Sequence, residues 1–552
     1  MKPPRLSGSA LRTVVRLTDA DPVRKVVGAL MRKDLAIDEA RALPASAREP
    51  LPLSPRPWQA RRAHPRPSGD LSAPVPARAH APAGARFTHA YERGTTTPTE
   101  VTHRAITEAR RLAAIDPFMG PMLYVDEERA LRDADASTER WRAGKSLGPL
   151  DGLVIPIKEE LDLDGQSCRL GTSQPARRDV TDATCVARLR AAGAIILGHT
   201  PMTEYGMSPL GVSAQRSLPR NAHSPRHAAG GSSTGSAVAV ATGLAPIAIG
   251  SDGGGSIRIP ASFNGVFGLK PTFGRISRKG DGFGGTMAHV GPIAASTRDL
   301  ALAMEVTSGE DLGDELTTGN PGFDRGWLES SLRRGVAGLR IGVLDEEIDA
   351  ASPVIARACR DALRALEHDG AKLVPVSLRL AKHAPAIGYL SIGLETHVAL
   401  LSQQREAWST LGPDLQILCR VMSTFASDDY LDAQCLRAGL RRDVAALLRE
   451  VDVLALPTAA CTAPAIDEVE LREGMADTTV LNDTCRFAWL GNLTGLPAGS
   501  APVARDERGL PIGLQIVADA WDEATVLQVL AHLERAGVAE VPRPWALAEV
   551  LG

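Results

Sequence analysis

An α/β fold with a largely parallel or mixed sheet is predicted by three features of this 552-residue chain. Short apolar runs alternate with segments of helical periodicity. Several of those runs are apolar throughout, as strands covered on both faces are. Composition supplies the core, with 44% hydrophobic against 23% charged residues.

Taken in order, Leu11, Val14 and Val15, then Val26, Val27, Leu30 and Met31, recur at helical spacing and predict one or two helices within an N-terminal segment, residues 1–43. Residues 44–94 read as a Pro/Ala/Arg-rich linker. Ten prolines fall between Pro44 and Pro82, and each removes a backbone donor and blocks helix. The arginines there read as a solvated face rather than a nucleic-acid arm.

A globular domain is expected from 95 to 552. Thr97, Pro98 and Glu100 carry an N-cap, N1 and N3 signature that opens a helix. Gly152 to Lys158 reads as a strand ending in lysine, Cys185 to Gly193 as a helix with a glycine stop, and Ala194 to Gly198 as a buried strand. Leu339–Leu344, the helix around Pro353–His368, and Ala371–Ser377 form a βαβ-like unit, and Val451–Pro457 adds a strand.

Function classes are narrowed by what is present. A net charge of −3 gives no global attraction to nucleic acid or anionic membrane. Seven scattered cysteines without a CxxC pair argue against a disulfide framework or zinc cage and suit a reducing compartment. No metal-ligand cluster or phosphate-binding loop is found, so neither metal nor cofactor is expected. Met1 to Arg16 lacks a signal-like apolar region, and no uninterrupted apolar run approaches a membrane span. The expectation is a cytoplasmic protein without membrane or nucleic-acid partners, with a homodimer left open.

The chemistry concentrates in two glycine-dense loops. Gly230–Gly235 contains Ser232 and Ser233, and Ser251–Pro260 contains Ser256, 24 residues after Ser232. The apolar runs Ala237–Ala241 and Ile247–Ile249 between them exclude a solvated Gly/Ser linker. Glycines beside a serine let backbone N–H groups crowd around a reacting atom, which is what an oxyanion pocket requires. Histidines 223, 227 and 289 raise a Ser-His-Asp arrangement, but no acidic partner or nucleophile motif accompanies them, and they read as loop residues.

These loops, with Gly148 to Glu159, Asn264 to Gly274, Gly291–Ile293, Asn492 to Pro497 and Gly509 to Gln515, make the chain resemble the amidase signature family over roughly residues 95–550. The resemblance implies one large α/β domain around a twisted mixed sheet covered by helices, with the active site at one end. It implies Ser256 as nucleophile, Ser232 as bridging serine after a cis Gly231–Ser232 bond, and Lys158 as base. Backbone N–H groups of Gly253, Gly254, Gly255 and Ser256 would hold the oxyanion. Ser233, Asp252 and Arg258 would support the loops.

Serine attacks an amide poorly until its proton is removed, and Lys158 can remove it only as a neutral amine, which burial favours. The expected reaction is cleavage of a linear carboxylic amide to acid and ammonia or amine, through an acyl-enzyme. A small or medium amide is expected, its acyl part lined by Met202–Met207 and residues 380–440. Two alternatives stand beside this: the glutaminase-type subunit of a tRNA-dependent amidotransferase, and an inactive binding protein on the same fold. One departure is Thr234, where the family usually has glycine or serine; a β-branched residue there would narrow the site or slightly shift Ser233.

Overall fold

Thirteen short strands arise from the apolar runs, and a computed structural model describes them within residues 5–49, 57, 83–174, 180–282, 284–323 and 326–551. They are β1 (Leu6–Ser7), β2 (Tyr124–Val125), β3 (Val154–Lys158), β4 (Ile195–Thr200), β5 (Ile247–Asp252), β6 (Phe267–Lys270) and β7 (His289–Ala294). After them come β8 (Arg340–Val343), β9 (Lys372–Pro375), β10 (Val453–Pro457), β11 (Met475–Ala476), β12 (Ala498–Arg505) and β13 (Pro511–Ala518).

Eleven of these form one mixed sheet in the order β2-β4-β3-β5-β7-β6-β12-β13-β10-β8-β9. The pairs β3/β4, β3/β5, β8/β10 and β8/β9 are parallel, and the rest are antiparallel. Every residue of β3, β4, β5, β7, β10 and β13 is buried. Such strands must be covered on both faces, and the continuous apolar runs of the sequence answer that demand. The expected mixed α/β sheet is therefore the observed one.

Local signals act as their chemistry requires. At Thr97 the hydroxyl accepts from Glu100 N at 3.2 Å and Glu100 Oε2 accepts from Thr97 N at 3.1 Å, closing the capping box of the helix Pro98–Ala113. The expected βαβ unit is β8, the helix Pro353–His368 and β9, with the strands parallel. By length and composition the stretch Ala381–Leu401 could cross a membrane, although Lys382, His383, Glu395 and His397 keep it from being an uninterrupted apolar run. In the fold 61% of it is buried, packed against the helices Pro413–Met422, Ser427–Glu450 and Trp489–Thr494. It is a core helix here.

The N-terminal segment forms α1 (Gly8–Leu17), α2 (Asp21–Asp34) and α3 (Ile37–Arg41). It lies on the body of the protein: β1 pairs with β11, α1 and α2 pack on the helix Pro413–Met422, and Arg32 bridges to Asp429 at 3.1 Å. Most of the expected linker, 50–56 and 58–82, lies outside the described residues. Its last part is not a linker. Gly84–Glu92 is a helix, because Phe87 and Tyr91 share one face, both are buried, and Tyr91 OH donates to Gly152 O at 3.0 Å.

Candidate active site

Because β3 and β5 run parallel side by side, their C-terminal ends reach the same edge of the sheet, where α/β folds bind ligands. Lys158 is the last residue of β3, and Ser251 and Asp252 are the last two of β5. The loop Gly253–Ser256 follows. The Ser232 loop, which starts the helix Thr234–Ala241, is laid across the same edge by a bond from Ser233 N to Ser256 O of 3.2 Å. Glycine is required at Gly231, where a Cβ would stand 2.5 Å from Ser208 O. Gly255 has φ +115°, open to glycine and strained for other residues.

Lys158 is fully buried, and its Nζ lies 2.7 Å from Ser232 Oγ. The peptide bond Gly231–Ser232 is cis. Ser232 and Ser256 both face one cavity, Ser256 being 9% exposed. Among the described residues no hydrogen bond joins Ser256 Oγ to Ser232 Oγ; catalytic contacts of this kind commonly tighten only around bound substrate. The structure thus brings Lys158, Ser232 and Ser256 to one edge and shows the Lys158–Ser232 leg of the relay closed.

Two residues that the sequence reading passed over complete the surroundings of the amine. Nζ also lies 2.6 Å from Ser251 Oγ and 2.7 Å from Glu160 Oε2, and Ser251 Oγ donates to the same carboxylate oxygen. Glu159, which the sequence places next to Lys158, turns away to Arg216 Nη1 at 2.9 Å and to Met202 N at 3.0 Å. An acidic residue two positions after a strand-end lysine was the available signal for Glu160. Nothing local distinguished Ser251.

Asp252 and Arg258 brace the nucleophile loop. The buried Asp252 carboxylate accepts from Gly255 N (2.7 Å), Ile257 N (3.1 Å), Arg258 Nε (3.0 Å), Arg258 Nη2 (2.9 Å) and Asn492 Nδ2 (2.9 Å). Burial pushes this carboxyl up, and the Arg258 guanidinium more than reverses it, holding the group well below the usual carboxylate range. Arg258 Nη1 further reaches Ala488 O at 2.9 Å and Gln515 Oε1. This corrects one expectation: the Gly255 N–H is occupied by Asp252, so it does not serve an oxyanion. Among the described residues the N–H groups of Gly253, Gly254 and Ser256 are in no such bond, and they remain the candidate donors.

Ser233 ties the two loops together, its Oγ donating to Ser251 O at 3.1 Å. Thr234 donates to Gly230 O at 2.8 Å and is not on the cavity wall, so it does not narrow the site. The histidines form no triad: His223 Nε2 bonds Asn264 O, His227 Nδ1 bonds Ser224 Oγ, and His289 Nδ1 bonds Met287 O.

The cavity above the serines measures about 730 Å³. As expected, Tyr205 and Met207 line it, with Ile392, Leu415, Leu418 and Val421 from the 380–440 region. The sequence reading did not foresee Val14, Val27, Leu30 and Met31 of α1 and α2 on its wall. Glu204 and Asp414 also reach it. Burial, then the neighbouring Asp414, pushes the Glu204 carboxyl up to about 8, and burial pushes Asp414 to about 6.

Comparison with known proteins bears on this arrangement. The amidase family profile matches residues 105–527. A fatty acid amide hydrolase of Arabidopsis thaliana is 35% identical over 457 residues, covering 81% of this chain and 75% of that protein. One subunit of the glutamyl-tRNA(Gln) amidotransferase of Chloroflexus aurantiacus is 33% identical, covering 81% of this chain and 95% of that one. Among solved structures, a bacterial aryl acylamidase superposes with a TM-score of 0.73 at 25% identity, over 84% of this chain and 97% of that one. With the serines, the lysine and the sheet edge placed as above, the chain belongs to the amidase signature family, and the bond it hydrolyses is the C–N bond of an amide.

Proposed function

We propose that the substrate is a linear amide with a long apolar acyl chain, cleaved through an acyl-enzyme on Ser256. The observation that carries this reading is the cavity, which runs from Ser232 and Ser256 to the apolar faces of α1 and α2. Its volume of about 730 Å³ has room for such a chain, and the apolar side chains of α1, α2 and the helix Pro413–Met422 on its wall favour one. Similarity to plant proteins named fatty acid amide hydrolase supports the same substrate class.

In the proposed reaction Ser256 Oγ attacks the carbonyl carbon while its proton passes through Ser232 Oγ to Lys158 Nζ. Charge gathers on the carbonyl oxygen beside the N–H groups of Gly253, Gly254 and Ser256, where one such donor is commonly worth about 10²–10³ in rate. The relayed proton leaves with the amine nitrogen. Water then attacks the ester, giving up a proton through Ser232 to Lys158, and the relay runs in reverse to return that proton to Ser256 Oγ as the acid leaves.

A panel of primary amides of increasing acyl length, assayed with the wild type and Ser256→Ala, tests this. Each methylene buried against the apolar wall contributes about 0.8 kcal/mol, so kcat/KM should rise roughly fourfold per methylene until the cavity is filled. A flat or falling series would overturn the long-chain reading. Turnover restricted to glutamine would instead favour the amidotransferase alternative, to which the coverage of that relative lends weight.

A further inference from the structure

A relay that ends on Lys158 creates a positive charge where no water reaches. The side chain is fully buried at the end of β3, and burial in itself opposes the charged form of an amine. The structure answers with three acceptors around Nζ: Ser232 Oγ at 2.7 Å, Ser251 Oγ at 2.6 Å and Glu160 Oε2 at 2.7 Å. Three acceptors match the three N–H groups of an ammonium. Two are neutral hydroxyls, and Glu160 is the carboxylate of the set. Ser251 Oγ donates to the same Oε2, fixing the oxygen against the amine.

The other charged groups nearby are committed elsewhere or reach the pair through Glu160. Glu159 is paired with Arg216, and Asp252 with Arg258. Asp281, from the segment before β7, lies 3.2 Å from Arg278 and shares a hydrogen bond with Glu160, which places one proton between the two carboxyls. His199 on β4 spends its Nε2 on Leu161 O.

We propose that Glu160 is a positioning residue that sets the strength of Lys158 as a base, its carboxylate being the counter-charge for the ammonium formed when the relayed proton arrives. The inference rests on the Ser256–Ser232–Lys158 reading and extends it. As Ser256 Oγ forms its bond to the substrate carbon, the Ser256 O–H breaks and Ser232 takes that proton. The Ser232 O–H breaks in turn and a third N–H forms on Lys158, which then stands against Glu160 as an ion pair. No proton enters from solvent, and none is lost until the leaving nitrogen takes it. In agreement, burial pushes the Glu160 carboxyl up, while the Lys158 charge and hydrogen bonds from Lys158, Ser251 and Asp281 bring it below its ordinary value.

The test is the rate at which a fluorophosphonate probe labels Ser256, followed against pH in the wild type, Glu160→Gln and Glu160→Asp, with thermal melts to show that each is folded. Removing the opposite charge weakens the base. The rising acid limb of Glu160→Gln should therefore move down by about 1–3 pH units, with a lower plateau rate. Glu160→Asp keeps the charge and should keep the limb near the wild-type position. Should Glu160→Gln fail to fold, Glu160→Asn carries the same expectation. A limb that stays in place in a folded neutral variant would overturn the proposal, even if the rate falls, since a purely structural residue would behave in that way. A wild type that does not label would overturn the Ser256 assignment and the proposal together.

Discussion

Replacing Asp252 with alanine strips the nucleophile loop of one carboxylate and leaves the guanidinium of Arg258 buried without its counter-charge. The carboxylate accepts five hydrogen bonds, two from Arg258, two from the loop backbone at Gly255 and Ile257, and one from Asn492. Breaking a buried pair by removing one partner costs about 3–5 kcal/mol, a large part of the 5–15 kcal/mol that ordinarily holds a domain together. With a urea slope of ~3 kcal/mol per M, the unfolding midpoint should drop by roughly 1–1.7 M. Equilibrium urea unfolding followed by circular dichroism reads this directly. Replacing both partners with apolar residues, Asp252→Leu with Arg258→Met, should recover part of the loss, because the unpaired charge is then gone. A single Asp252→Ala variant destabilised by less than about 1 kcal/mol would refute the reasoning, since it would mean the guanidinium finds water or other acceptors at no cost.

Two further outcomes follow from the site. Ser256→Ala and Lys158→Met should each lower amide turnover by about 10³-fold or more, the losses failing to add in the double variant because both act on one proton transfer; additive losses would contradict the relay. Glu204 is pushed from 4.5 up to about 8, so between those values the folded protein holds a proton that the unfolded chain has lost. Stability therefore falls as pH rises through that window, and Glu204→Gln should flatten the fall in Tm across it. An unchanged slope in that variant would count against a protonated Glu204 in the cavity wall.

Much of this was legible in the chain because the signals are local. Thr97 with Glu100, the apolar run ending in Lys158, and the two serine loops each carry their structural reason within a few residues. Asp252 and Arg258 act as the expected supports of the nucleophile loop, a carboxylate and a guanidinium on either side of its glycines. The fate of the Gly255 N–H was not legible, since it depends on the direction in which Asp252 turns. Glu160 and Ser251 escaped notice because their role exists only once β3 and β5 lie side by side. The helix Gly84–Glu92 was hidden by the proline-rich composition before it, although Phe87 and Tyr91 stand at the i,i+4 spacing of a buried face. The contribution of α1 and α2 to the cavity depends on contacts with residues some four hundred positions away, beyond the reach of periodicity.

The pairing of β1 with β11 sets an order on biogenesis. Leu6 meets Ala476 across that ladder, and Arg5 grips Glu470, so residues 5–7 wait for a segment made some 465 positions later before they can dock. The apolar side chains of α1 and α2 likewise have no partner surface until the helix Pro413–Met422 follows, and the substrate chamber is missing a wall until then. A nascent chain halted before residue 413 would hold both serines and the lysine yet lack the surface against which α1 and α2 close the chamber.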